Sequence, residues 1–245
     1  MTTPLMPAVV AHRGASAAAP ENTLAAMRRA AAMGARWVEC DVRLAADGTP
    51  VVIHDATLER TTDGRGAVRA HSSAALARLD AGAWFDAAFA GERVPTLAAL
   101  LAAASRLGLG LNVEIKAEDE ATARATAEAA APLLGAWAGP LVVSSFQDAV
   151  LAALRDAVPA LRRGLLCHRR VGPAEIARAH ELAAVSLHAD RRAFDAPTVQ
   201  RLEAAGLWPV AYTVNAPDEA RRLWRCGVRT LITDRPDTLI AATPA

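Results

Sequence analysis

Short apolar and β-branched runs recur along the chain, separated by alanine- and leucine-rich stretches with helical spacing. The runs predict strands at Ala8–Ala11, Trp37–Val42, Leu111–Ile115, Leu141–Ser144, Arg163–Leu166, Ala184–Leu187, Pro209–Thr213 and Thr230–Ile232. The stretches between them predict helices, among them Asn22–Met33, Leu97–Leu107, Ala121–Leu134, Asp148–Ala157, Pro173–Glu181, Pro197–Ala205 and Asp218–Arg225. Alternation of this kind implies parallel pairing with the helices outside. Eight such units in 245 residues match the count and size of an α/β (β/α)8 barrel, the TIM barrel. A doubly wound open sheet is the alternative, but no Gly-x-Gly-x-x-Gly turn follows the first strand.

One segment breaks the rhythm. After Val42–Leu44 come Asp47-Gly48 and the apolar Pro50–Ile53, a strong hairpin signal. A two-residue turn there, or a four-residue loop with the same centre, pairs Asp41 with His54 on one face; an added bulge reverses the facing. From Asp55 to Pro95 no strand–helix unit is legible. Loops this long inside a compact domain are usually lids or insertions. The reading is therefore one domain over residues 1–245, with an insertion at about 46–95 capping the barrel mouth and burying Trp84, Phe85 and Phe89.

Composition narrows the function classes. The chain is 53% hydrophobic and 22% charged, enough for a core and against disorder. A net charge of +1 leaves no electrostatic footprint for nucleic acid. No cationic amphipathic stretch predicts stable membrane association, and no signal-peptide pattern or spanning apolar run is visible. Three scattered cysteines, Cys40, Cys167 and Cys226, form no metal or disulfide spacing, so a cytoplasmic location is expected. Oligomeric state is left open.

Catalytic groups of a barrel gather at the C-terminal ends of its strands. Those ends carry Ala11-His12-Arg13-Gly14, Glu39-Cys40-Asp41 and Glu114-Ile115-Lys116. Period-two spacing puts Glu39 and Asp41 on one face, and Glu114 with Lys116 on one face of the next strand. Lys116 is the only lysine among 27 basic residues, so a compact ammonium stands where the chain elsewhere uses guanidinium. Three converging acids conflict electrostatically. One divalent cation, Mg²⁺ or Ca²⁺, resolves this with all-oxygen ligands from Glu39, Asp41 and Glu114; neutralisation by Arg13 and Lys116 alone is the other option. His12 and His54 beside such a metal fit phosphate ester chemistry, sharing general acid and base duty while Arg13 and Lys116 neutralise phosphoryl oxygens. A Schiff-base role for Lys116 would leave the three acids unexplained. Of the remaining histidines, His71, His168 and His180 read as solvated or capping, and His188 as facing the mouth.

With Pro20-Glu21-Asn22-Thr23, His54-Asp55 and the late Thr233-Asp234-Arg235-Pro236, these motifs make the sequence resemble the glycerophosphodiester phosphodiesterase family along nearly its whole length. The resemblance implies a TIM barrel that uses a divalent metal to hydrolyse small-molecule glycerophosphodiesters to sn-glycerol 3-phosphate and an alcohol. It assigns acid–base roles to His12 and His54, metal ligation to Glu39, Asp41 and Glu114, and phosphate contact to Arg13 and Lys116. Where the family commonly has Trp-Thr-Val-Asn, this chain has Tyr212-Thr213-Val214-Asn215, which places Tyr212 against the substrate. Lipid-cleaving relatives of the lysophospholipase D and sphingomyelinase D kinds would need an apolar rim. A binding scaffold without catalysis would not need two proton-transfer groups.

Overall fold

The computed structural model describes residues 5–244. Its strands are β1 (Val9–His12), β2 (Trp37–Leu44), β3 (Pro50–Val52), β4 (Gly110–Ile115), β5 (Leu141–Ser145), β6 (Arg163–Cys167), β7 (Ser186–Asp190), β8 (Trp208–Tyr212) and β9 (Thr230–Thr233). All but β3 pair in parallel in chain order, and β1 pairs with both β2 and β9. That double pairing closes an eight-stranded barrel and excludes the open sheet. Outside it lie α1 (Leu24–Ala32), α3 (Leu97–Leu107), α4 (Glu120–Gly135), α5 (Asp148–Ala157), α6 (Pro173–Glu181), α7 (Ala196–Ala204), α8 (Pro217–Arg225) and α9 (Pro236–Ala242); α2 (Ser73–Leu76) is one turn in the segment after β3.

Each barrel strand is buried on both faces, as helices outside a parallel sheet require. Outward residues such as Val38, Val113, Leu165 and Leu187 meet the helices in two large apolar clusters. Inward residues at the N-terminal end, Val10, Trp37, Val142, Val210 and Ile232, close the barrel floor together with Met6. Trp37 fits because Gly110 lies beside it; a Cβ there would come within 2.4 Å of the indole. Above this floor the inward positions turn polar.

Several boundaries differ from the sequence reading, each for a local reason. α1 starts at Leu24 because Asn22 is left-handed at φ 59° and Thr23 caps the helix by accepting from Ala26 N. β7 begins at Ser186 rather than Ala184 because Ala183 is left-handed and Ala184 N still donates to Ala179 O, closing α6. α9 was not expected, although Pro236 at its first turn is a start signal.

The hairpin is the largest correction. Val42 pairs with Val52 and Leu44 with Pro50, so Asp41 lies opposite Ile53 rather than His54. The loop contains one residue more than a symmetric turn, with Gly48 left-handed at φ 76°. Such a slip would turn His54 away from Asp41 in a continued strand. β3 ends at Val52, however, and the bend that follows brings His54 back to the mouth; its carbonyl accepts from Arg43 Nε at 2.7 Å. The segment beyond folds around Leu58, Val68, Leu76 and Val94. Trp84 is exposed and Phe85 and Phe89 only half-buried, so the aromatics expected to anchor this segment do not. Trp84 Nε1 donates to Ala81 O, which holds the indole at the surface.

Candidate active site at the barrel mouth

The C-terminal ends of β1, β2 and β4 enclose a cavity of about 270 Å³ lined by His12, Arg13, Glu39, His54, Glu114 and Lys116, among others. Register accounts for the convergence: Asp41 sits beside Glu114 and His12 beside Glu39 in the parallel ladders. Carboxylate oxygens of Glu39, Asp41 and Glu114 can all lie within 4.8 Å of one another. Oε1 of Glu39 and Oδ1 of Asp41 are buried without a hydrogen bond. Lys116 Nζ lies 2.5 Å from Glu114 and 3.3 Å from Asp41, while Arg13 Nε approaches Asp41 to 3.1 Å. Among the described residues no lysine or arginine side chain pairs with Glu39, whose Oε2 accepts only from the Arg13 backbone N–H at 3.0 Å. Three hard oxygen donors, two with orphaned atoms, fit a Mg²⁺- or Ca²⁺-type ion.

Each histidine is held by its own carboxylate. His12 Nδ1 donates to Asp234 at 2.6 Å, and Asp234 also accepts from Ser16 Oγ and Asn215 Nδ2. His54 Nδ1 donates to Asp55 at 2.6 Å. A carboxylate can only accept when ionised, so both rings carry a proton on Nδ1 and leave Nε2 for chemistry. Asp55 and Asp234 were visible in their motifs, but their orienting role was not legible, since it depends on chain segments meeting in space. The Pro20–Thr23 turn divides its labour in a similar way. Glu21 takes Arg13 Nη1 at 2.7 Å, Asn22 donates to Asp41 Oδ2 at 2.9 Å and accepts from its backbone N–H, and Thr23 caps α1. Gly14 permits this turn: it is left-handed, and a Cβ would come within 2.5 Å of Ala26.

One histidine is elsewhere than expected, and another, exposed as expected, also reaches the site. His168 follows β6, lines the cavity and stacks on Phe146 at 4.6 Å, so it is not a capping residue. His188 is fully buried inside the barrel, paired with Ser186 Oγ at 2.9 Å, and does not face the mouth; burial lowers its pKa to about 3. The tyrosine expected against the substrate does line the cavity, with its hydroxyl donating to Cys167 O at 2.6 Å.

The acids repel one another strongly. Burial, with Asp41 and Glu114 nearby, pushes Glu39 well above the usual carboxylate range. Burial and Asp41 raise Glu114 to about 7 despite Lys116. Burial also opposes ionisation of Asp41, but Lys116 and Arg13 outweigh it and hold that carboxyl below its ordinary value. A raised carboxyl stabilises the fold while protonated and loses that contribution as pH rises through its folded pKa. In metal-free protein the contribution of Glu114 should therefore fall between about pH 5 and 8, against a rise up to about pH 6.5 from His188 and His54, which burial keeps neutral in the fold; the opposite contribution of Asp41 is lost only in stronger acid. Saturating Mg²⁺ or Ca²⁺ should flatten that decline. Melting curves of wild type and Glu114→Gln across this range in chelator isolate that share, and a difference between the two that does not change with pH would refute it.

A parallel barrel whose strand ends carry acids, histidines and cations is the framework of a TIM-barrel enzyme. Residues 12–238 match the glycerophosphoryl diester phosphodiesterase family, and the chain belongs to it. It is similar to the glycerophosphodiester phosphodiesterase of Caldanaerobacter subterraneus subsp. tengcongensis, with 35% identity over 240 residues covering 95% of this chain and 96% of the relative. One from Bacillus subtilis is 32% identical over 247 residues, covering 93% and 83% respectively. Among solved structures, a phosphodiesterase of Oleispira antarctica in complex with the product sn-glycerol-3-phosphate superposes with a TM-score of 0.93 at 36% identity, over 97% of this chain and 96% of that one. The chain is thus an enzyme of the glycerophosphodiester phosphodiesterase class. No helix among the described residues is long and apolar enough to cross a membrane.

Proposed function

We propose that this enzyme hydrolyses small glycerophosphodiesters to sn-glycerol 3-phosphate and an alcohol, with Glu39, Asp41 and Glu114 holding one Mg²⁺ or Ca²⁺ ion and His12 and His54 transferring protons. The observation that carries this reading is the meeting of three acids within 4.8 Å beside two carboxylate-held histidines. The bound ion would supply Lewis-acid polarisation of the phosphoryl group. Arg13 and Lys116 offset charge on its non-bridging oxygens. One histidine accepts a proton from the attacking water while the other protonates the departing alkoxide, and the pair is restored when the first ring gives its proton to solvent and the second regains one. Tyr212 offers its ring to the organic part of the substrate, its hydroxyl being engaged with Cys167. In this reading residues 1–245 act as one domain with the segment at about 46–95 beside the mouth, in the cytoplasm and without nucleic-acid or stable membrane partners.

Release of sn-glycerol 3-phosphate from choline, ethanolamine, glycerol and inositol diesters tests the reaction; no release from any of them would overturn it. Lys116→Arg gives a sharper test of the site. The ammonium sits between Asp41 and Glu114, where a larger planar guanidinium cannot make the same point contacts. The charge is kept, so the fold and melting temperature should survive. We expect kcat/KM to fall more than about tenfold, which is about 1.4 kcal/mol of transition-state stabilisation. A fully active Lys116→Arg enzyme would remove Lys116 from the site.

A further inference from the structure

Arg60 lies in the segment after β3, outside the cavity, and its guanidinium bridges directly between side chains of two parts of the mouth, the loop after β1 and the bend after β3. On one side Nε and Nη2 meet Asp55 at 2.6 and 2.9 Å. On the other, Nη1 and Nη2 meet Glu21 at 2.8 and 2.9 Å. Asp55 holds the His54 ring and Glu21 holds the Arg13 guanidinium. The result is one charged chain, Arg13–Glu21–Arg60–Asp55–His54, running from the loop after β1 to the bend after β3. We propose that Arg60 is a positioning residue that fixes a phosphate-contacting cation and a proton-transferring histidine relative to each other. This inference rests on the roles proposed above for Arg13 and His54.

The physical case is one of geometry rather than stability. Arg60 is 45% exposed, and ion pairs at such sites add little to folding. Its two paired contacts nevertheless use the planar spread of a guanidinium, which can grip one carboxylate along each of two edges. Lysine presents a point charge and cannot hold both carboxylates in that way. The grip also favours the ionised form of both acids: hydrogen bonding from Arg60 is the leading cause of the lowered pKa of Asp55, and for Glu21, where burial pulls the other way, Arg60 and Arg13 together outweigh it. Ionised Asp55 fixes the proton on His54 Nδ1. Ionised Glu21 holds Arg13 by Nη1 while Nε turns to Asp41, which leaves Nη2 for the cavity that Arg13 lines. Freed from Arg60, the His54 ring would keep Asp55 alone as its anchor, and the side chains of Asp55 and Glu21 could shift independently although both bends stay tied to Asp41.

The test is a double-mutant cycle. Arg60→Ala and Arg60→Lys should melt close to wild type yet lose about 10- to 100-fold in kcat, the scale of a small misplacement of a reacting group. In a His54→Ala background Arg60→Ala should cost little further kcat, because the ring it positions is gone. Asp55→Asn should fall mainly in kcat and Glu21→Gln mainly raise KM, splitting the two arms of the chain. Full activity in both Arg60 variants would overturn the proposal, as would an Arg60→Ala loss that multiplies undiminished on His54→Ala. If His54→Ala and Arg13→Ala are themselves fully active, the site assignment fails and the proposal falls with it. If those two are crippled while the Arg60 variants are not, only the positioning role fails. Should Arg60→Ala fail to fold, Arg60→Lys, which keeps the charge, decides by the same comparison.

Discussion

Alanine at His12 or at His54 is expected to lower kcat by about 10²–10⁴-fold, the range for loss of a positioned acid or base. Both rings have Nδ1 committed to a carboxylate, so neither is an incidental surface histidine. Burial lowers the His54 pKa, and the pull of Asp41 and Asp55 does not fully restore it; the ring therefore begins neutral and fit to accept a proton near pH 7. A diester with a nitrophenyl leaving group should restore much of the lost rate in whichever variant lacks the general acid, because that leaving group needs no proton. Steady-state kinetics on both substrates check this. Unchanged kcat in either variant would take that histidine out of the reaction. Asp234→Asn should mimic part of the His12 loss, since an amide in place of the carboxylate no longer stabilises a charged ring.

Removal of the metal should have the larger effect. Excess chelator is expected to abolish turnover, and Mg²⁺ or Ca²⁺ to restore it, because without an ion the acids of the mouth repel the phosphate they should bind. Alanine at Glu39, Asp41 or Glu114 should weaken metal binding far more than folding. At Glu39 and Glu114, where burial and like charge already oppose ionisation, relief of repulsion offsets part of the lost contacts. Asp41→Ala should destabilise most of the three, since Asn22, Lys116 and Arg13 all lean on that carboxylate. Calorimetric titration of metal together with thermal melts separates binding from folding. Full activity in chelator would leave Arg13 and Lys116 as the neutralising groups.

What the sequence determined on its own is what depends on local order along the chain. Two-residue periodicity put Glu39 with Asp41, and Glu114 with Lys116, on common faces of their strands, and alternation of strands with helices implied the barrel that brings those faces together. Helix ends with a cap or a proline could be placed to within a few residues. The tertiary structure decided whatever turned on a single residue of register or on contacts between distant segments. One extra residue in the loop around Gly48 displaced His54 from its expected partner, and only the end of β3 and the Arg43 contact returned it to the mouth. His188 lies within the barrel because β7 runs on to Asp190, and His168 joins the mouth through its stacking on Phe146; both turn on where a strand ends in space, which lies beyond any local pattern. Asp55 and Asp234 stood in legible motifs and Arg60 in none, but the role of all three was hidden, for a carboxylate or guanidinium acquires such a role only from the side chain that folding sets against it.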